Sequence, residues 1–149
     1  MRIDYASAAP GAFKAMLNVE SYVQGCGLEA SVLELVKTRA SQINGCAYCL
    51  DMHTKDALAG GETAQRLFLL SAWQEAHCYT PRERAALAWT DAMTLVASSH
   101  MPDDVYNEAL LHFTEAELVN LTLAIIAING WNRLAIGFRK ESGTYHVGQ

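Results

Sequence analysis

Two cysteines and a histidine lie within one short stretch of the chain, in the order Cys46, Cys49 and His53. They follow Asn44-Gly45, a typical stop signal for a preceding helix, so a new helix is expected to begin at Cys46. A helix N-terminus carries about half a positive charge, which favours thiolate over thiol and can lower the pKa of a cysteine well below its free value of about 8.5. The position of the pair therefore favours reactive sulfur.

Helical spacing would bring the two sulfurs and the imidazole together. Residues three apart in a helix have Cα atoms about 5 Å apart, within the range that a disulfide tolerates, so Cys46 and Cys49 can pair on one exposed helical turn. His53 lies one turn after Cys49, where it can take the thiol proton directly or through one water. Glu34, on the preceding predicted helix, can fold back to orient the imidazole. Asp56, three residues after His53, competes with Glu34 for that role.

The same side chains could hold a metal ion instead. The spacing C-x2-C-x3-H supplies three zinc ligands, and Glu34 could be a fourth. Structural zinc usually has a second Cys or His pair at regular spacing, and His77-Cys78 is the only other neighbouring pair. We therefore favour redox chemistry over zinc, and expect neither a bound metal nor a cofactor.

The pattern E-x11-C-x2-C-x3-H, in ELVKTRASQINGCAYCLDMH, resembles the alkylhydroperoxidase AhpD branch of the carboxymuconolactone decarboxylase superfamily. The resemblance implies a thiol peroxidase in which Cys49 is the peroxidatic cysteine and Cys46 the resolving partner and proton donor. It makes His53 the relay base and Glu34 the relay acid. One position departs from the best-known form of the motif, because Tyr48 replaces a histidine before the second cysteine, and tyrosine is a poor base at neutral pH.

The resemblance also implies partners and alternatives. It implies a peroxide substrate, either an organic hydroperoxide or hydrogen peroxide, and a dithiol reductant that is a lipoylated or thioredoxin-like protein. Assembly as a trimer or hexamer is expected from the same likeness. Two other functions stay open: a protein-disulfide reductase or adaptor without significant peroxidase turnover, and a carboxymuconolactone decarboxylase-type enzyme.

The rest of the sequence predicts helices. The three prolines, at positions 10, 81 and 102, all lie where a helix could begin, and no segment shows strand alternation. We predict an all-α, AhpD-like compact bundle of about seven helices, with a frayed tail after Lys140. The predicted helices cover Pro10 to about Gly25, Glu29–Ile43, Cys46–Leu58, Glu62–Ala76, Pro81 to about Val96, Val105–Phe113, and Thr114 toward Gly130 with a continuation to Phe138.

Composition narrows the class of protein. The 149 residues, 51% hydrophobic and 18% charged, exclude general disorder and fit one domain, 1–149, with a helical core at about 10–138. A formal charge of −5 without a basic run makes nucleic acid and anionic membranes poor partners.

The N-terminus lacks a secretory signal, and the most apolar segment, Leu121–Ile128, is far shorter than the roughly 20 residues of a membrane span. We expect a cytoplasmic protein, in which a close cysteine pair is typical of catalysis or metal binding. The last predicted helix is apolar on nearly every side, which predicts a homo-oligomer. The alternative is the central helix of a monomeric bundle.

Overall fold

The computed structural model describes residues 1–148, and over these residues the regular structure is helical, with no strand. The all-α prediction is confirmed. This part of the chain holds nine α-helices rather than about seven, because two of them are single turns, too short to show an apolar period. The helices are α1 (Tyr5–Ala8), α2 (Pro10–Gln24), α3 (Ala30–Asn44), α4 (Ala47–Ala59), α5 (Ala64–Leu69), α6 (Pro81–Thr94), α7 (Val96–Ser99), α8 (Asp103–His112) and α9 (Glu115–Phe138), with a 3₁₀ turn at Leu70–Ala72.

Local sequence signals set several helix ends. Thr80 accepts a hydrogen bond from the backbone N–H of Glu83, whose side chain accepts in return from the backbone N–H of Thr80, so α6 begins with a complete capping box. α9 begins in the same way behind Thr114. α3 ends at Gly45, whose φ of 70° lies in the left-handed region that glycine adopts without a steric penalty.

One predicted helix is much shorter than expected. The apolar period indicated a helix over Glu62–Ala76, but α5 ends at Leu69 and continues only as the 3₁₀ turn. The Arg84 guanidinium donates hydrogen bonds to the backbone carbonyl oxygens of Trp73, Gln74 and Ala76. These contacts satisfy carbonyls outside a helix, so a tertiary interaction replaces the helical hydrogen bonds that the sequence pattern predicted.

α3 lies in the middle of the molecule and packs against α4, α6 and α9. α2 packs on α9, and α8 packs on α6. The main apolar cluster joins α2, α3, α6, α8 and α9, and a second one lies among α3, α4, α5 and α6. A third, small cluster joins α3, α4 and α9 around the two cysteines, so the first turn of α4 is built into the core.

α9 is apolar on nearly every side, and this chain covers only part of its surface. By length and composition alone, it is long and apolar enough to cross a membrane. Leu121, Ile125 and Ile128 are fully buried against the other helices. Val119 and Ile126, on the opposite side, are 69% and 56% exposed. The helix therefore contributes one face to the core and leaves an apolar face uncovered by this chain.

Candidate active site

The two predicted cysteines form a disulfide at the start of α4. Cys46 is the N-cap residue, and its sulfur accepts a hydrogen bond from the backbone N–H of Cys49 at 3.4 Å. The Cα atoms of Cys46 and Cys49 are 5.4 Å apart, close to the separation expected from helical spacing. Because the left-handed Gly45 ends α3 immediately before Cys46, the chain turns sharply and places the pair on the first turn of the next helix.

The disulfide is buried, and the expectation of an exposed turn is wrong. Cys46 is 1% exposed and Cys49 is 3% exposed, because Ala40, Ile128 and Ala135 pack beneath them. Cys49, unlike Cys46, lines a cavity of about 380 Å³, which we call the active-site cavity. Access from solvent to the pair therefore leads to Cys49. The cavity is lined by residues of α1, α2, α3, α4 and α9 and of the segment after α9.

His53 and Glu34 also line the active-site cavity and contact each other. The Nδ1 atom of His53 lies 3.0 Å from Oε2 of Glu34. A carboxylate accepts hydrogen bonds, so this contact places a proton on Nδ1 and leaves Nε2 of the neutral ring free to accept one. Asp56 instead accepts a hydrogen bond from the Tyr145 hydroxyl at 2.6 Å. Glu34 rather than Asp56 is therefore the partner of the imidazole, which answers the question left open by the sequence.

Lys37 is a buried member of this site. Its side chain is only 4% exposed and its Nζ atom forms an ion pair with Glu20 of α2. The same Nζ atom lies 3.9 Å from Oε1 of Glu34. Lys37 thus supplies positive charge beside the carboxylate that holds His53, and links α2 to α3 at the wall of the cavity.

The segment after α9 is bound to α4, contrary to the expected frayed tail. The backbone N–H of Gly143 donates to Asp51 at 3.0 Å, and the Lys55 ammonium donates to the Tyr145 carbonyl at 2.9 Å. Burial is the main cause that raises the pKa of Tyr145 to about 12, and the hydrogen bond to Asp56 is the second. The Tyr145 phenol therefore stays protonated at neutral pH and closes one side of the cavity.

Aromatic side chains form much of the remaining wall. Phe13 and Trp131 meet edge to face with ring centroids 5.8 Å apart, and Tyr5 lies 6.1 Å from Phe13. Tyr48, which comes directly before Cys49, also lines the cavity. Its ring lies 4.2 Å below the Lys140 ammonium. The cavity thus combines an aromatic wall with the Cys49, His53 and Glu34 cluster.

A metal ion would find a different donor set from the one that the sequence suggested. Glu34, His53 and Asp56 each offer a ligand atom within 4.8 Å of the others. Both cysteines are held in the disulfide and offer no thiolate in this state. The cluster that the structure brings together is therefore one of carboxylates and imidazole, beside the sulfurs.

Several cavity residues were missed by sequence reasoning. Lys37 had a usable signal, because it lies three residues after Glu34 and so on the same face of α3. Lys140 and Tyr145 had none, since they follow the last helix and their segment has no apolar period. Their position depends on hydrogen bonds to α4 that join residues about 90 positions apart.

The chain matches a known protein family and a curated bacterial protein. The model of the carboxymuconolactone decarboxylase family matches residues 10–92. The uncharacterized protein YdfG of Bacillus subtilis (strain 168) is 43% identical over 143 residues, which are 96% of this chain and 97% of YdfG.

Solved structures agree in fold. A protein of unknown function from Agrobacterium tumefaciens, provisionally assigned as the antioxidant defence protein AhpD, superposes with a TM-score of 0.94 at 48% identity, covering 97% of this chain and 99% of that one. The debrominase Bmp8 has a TM-score of 0.82 at 16% identity, covering 93% and 74%. An AhpD-core, peroxidase-related protein from Ralstonia eutropha JMP134 has a TM-score of 0.81 at 18% identity, also covering 93% and 74%. The last two show similarity of fold alone.

Proposed function

The chain belongs to the carboxymuconolactone decarboxylase family and has the AhpD-like fold, and on this basis we propose that it is a thiol-dependent peroxidase that reduces organic hydroperoxides or hydrogen peroxide. The observation that carries the proposal is the Cys46–Cys49 pair, of which Cys49 opens into a cavity shared with His53 and Glu34. The same residues supply a nucleophile, a resolving thiol and a base in one place.

The proposed cycle begins with the reduced pair. His53 takes the proton of the Cys49 thiol, and the thiolate attacks the terminal oxygen of the hydroperoxide. The O–O bond breaks, a sulfenic acid forms on Cys49, and the leaving alkoxide takes a proton from the Cys46 thiol and leaves as the alcohol. The Cys46 thiolate then attacks the Cys49 sulfur, which forms the disulfide and releases hydroxide, protonated to water by the imidazolium. An external dithiol returns two electrons and two protons.

The geometry supports particular roles for the two relay residues. The hydrogen bond between Glu34 and Nδ1 of His53 fixes the tautomer, so the free Nε2 can act as the base. The carboxylate also stabilises the imidazolium that forms when the ring takes the proton. Lys37 and Glu20 hold Glu34 in position from the α2 side. Tyr48 supplies a wall of the cavity, and no step of this cycle requires it as a base.

Burial of the disulfide favours a peroxidase over a protein-disulfide adaptor. An adaptor must present a sulfur to a thiolate on the surface of a folded partner. Here the two cysteines are almost completely covered, and the approach to Cys49 is through the aromatic cavity. A peroxide fits this route, as does a dithiol on a slender flexible arm. A lipoylated protein, which carries its dithiol in that way, is therefore the reductant we favour over a thioredoxin-like one.

Thiol counting by mass spectrometry tests the proposal. One equivalent of cumene hydroperoxide added to the reduced wild-type protein should oxidise Cys46 and Cys49 together, with loss of two hydrogen atoms. Cys46→Ser should stop at a sulfenic acid on Cys49 that dimedone traps. Cys49→Ser should consume no peroxide, and Cys78→Ser, which changes a free cysteine outside the cavity, is the matched control.

Two results would contradict the assignment. Full peroxide consumption by Cys49→Ser would remove Cys49 as the nucleophile. Rapid disulfide exchange with a protein dithiol, but negligible peroxide consumption by the wild type, would show the adaptor function instead. His53→Ala should shift thiol alkylation by iodoacetamide to higher pH, because the thiolate loses its base. An unchanged alkylation profile would remove His53 from the mechanism.

The exposed apolar face of α9 supports a homo-oligomer, proposed here as a trimer or hexamer. Val119 and Ile126 of α9 and Leu111 of α8 are all more than half exposed, an arrangement typical of a surface that another subunit covers. Light scattering after size exclusion measures the assembly directly, and a mass of one chain would refute it. Because the cycle needs a reducing compartment, we also propose a cytoplasmic location.

A further inference from the structure

Lys140 is fixed in place although it lies beyond the last helix. Arg139 adopts a left-handed conformation, with φ of 57°, and the backbone N–H of Lys140 donates to the Ala135 carbonyl at 2.9 Å. Beyond Lys140, the hydrogen bonds of Gly143 and Tyr145 bind the chain to α4. The lysine is thus held from both sides, with its side chain lining the active-site cavity.

The ammonium group of Lys140 packs on two aromatic rings of the cavity. Its Nζ atom lies 4.2 Å from the ring centroid of Tyr48 and 5.7 Å from that of Tyr5. Burial opposes the charged form, but interactions with the phenols of Tyr48 and Tyr5 raise the pKa of Lys140 above its ordinary value. An ammonium has three N–H donors, so its contacts with Tyr48 and Tyr5 leave it able to bond a further acceptor that enters the cavity.

Lys140 differs from the other lysine of the cavity in having no carboxylate partner. Lys37 is paired with Glu20 and lies near Glu34. Within residues 1–148, no acidic side chain forms an ion pair with Lys140. Its neighbour Glu141 pairs with the N-terminal ammonium. The Asp4 carboxylate accepts a hydrogen bond from the Ser7 hydroxyl. That bond is the main cause that lowers the pKa of Asp4, and the charge of Lys140 is the smallest one.

We propose that Lys140 binds an anionic group of the substrate, so that the preferred substrate is an organic hydroperoxide that carries a carboxylate on an apolar, aromatic-sized body. The proposal rests on the proposed peroxidase function and names its substrate class. Phe13, Trp131 and Tyr5 would pack on the apolar body, and Cys49 would meet the peroxide group. A single ammonium suits a carboxylate, which carries one charge, better than a phosphate monoester, which carries nearly two.

A matched pair of substrates tests the role of Lys140. The pair is 4-(2-hydroperoxypropan-2-yl)benzoic acid and its methyl ester, which share the hydroperoxide and the ring and differ in charge. With dithiothreitol as reductant, kcat/KM for the acid should exceed that for the ester about tenfold, and the difference should lie in KM. The acid-to-ester ratio should fall to about one in Lys140→Met and stay near ten in Lys140→Arg. Lys14→Met, on the exposed side of α2, is the matched control and should keep the wild-type ratio.

A binding measurement separates this inference from the peroxidase function. Calorimetry with the unreactive alcohol 4-(2-hydroxypropan-2-yl)benzoate and its methyl ester should show the same tenfold preference for the acid, lost in Lys140→Met. If that preference exists but neither hydroperoxide oxidises the cysteines, the anion site stands and the proposed peroxidase fails. Equal affinities and equal kcat/KM values for acid and ester in the wild type would overturn the inference. An equal fall of kcat/KM for acid and ester in Lys140→Met would also overturn the inference, because the lysine would then act on the sulfur or on the fold.

Discussion

Replacing Lys37 by methionine would leave two carboxylates without their cation in the wall of the cavity. The Lys37 side chain is 4% exposed, and those of Glu20 and Glu34 are 18% and 22% exposed. Removing one partner of a fully buried ion pair costs about 3 to 5 kcal/mol. Because both carboxylates keep about a fifth of their surface in water, we expect a smaller loss than for a fully buried pair, about 2 to 3 kcal/mol of unfolding free energy. Methionine retains most of the apolar stem, so packing adds little.

Urea denaturation of Lys37→Met tests this reasoning. Adding Glu20→Gln to the variant should restore part of the stability. Lys14→Met, an exposed lysine on α2, should change stability by less than about 0.5 kcal/mol. A loss of that small size in Lys37→Met, or no recovery of stability when Glu20→Gln is added, would refute the electrostatic account.

Three further predictions concern the elements around the site. Gly45→Ala should lower the free energy of unfolding, measured with urea, by about 1 to 2 kcal/mol, because alanine must adopt the left-handed conformation. The added Cβ would meet no neighbour within 4 Å, so backbone strain alone accounts for the loss. Gly11→Ala, in a helix and with open space around it, is the control and should not destabilise the protein. Tyr145→Phe should remove a phenol that titrates at about 12 in absorbance at 295 nm. Since the folded pKa of Tyr145 is raised from 10, its contribution to stability should be full below about pH 10 and lost as the pH rises through about 12. Asn132→Leu should cost about 2 kcal/mol by the same urea measurement, because fully buried Asn132 bonds side chains of α3 on both its amide oxygen and nitrogen.

The parts of the site that sequence could predict depend on short-range geometry. The spacing of Cys46, Cys49 and His53 fixes their common face once α4 exists, and Gly45 marks where α4 must begin. The position of Glu34 beside His53 could be predicted for a similar reason, because a sharp turn between two helices folds them side by side. The choice between Glu34 and Asp56 required the packing, since helical spacing allowed both.

What the sequence could not show depends on contacts between distant segments. The spacing from Glu34 places Lys37 on the same face of α3, but its burial depends on a contact with Glu20 of α2 that no local pattern predicts. The end of α5 depends on an arginine of α6 that bonds the carbonyls of the following segment. The burial of the cysteines depends on Ile128 and Ala135 of α9 beneath them. Apolar periodicity predicts that such faces are covered, but not by which element.

The buried position of the disulfide constrains the order of the proposed cycle. Peroxide and reductant would both reach the pair through the cavity that Cys49 lines and Cys46 does not. Two molecules that need the same space cannot bind together, so the alcohol must leave before the dithiol enters, and the kinetics should be ping-pong. The reductant would then attack the Cys49 sulfur and expel Cys46 as a thiolate. That leaving thiolate lies at the N-cap of α4, where a backbone N–H donates to it, and this is the end of a helix that favours negative charge.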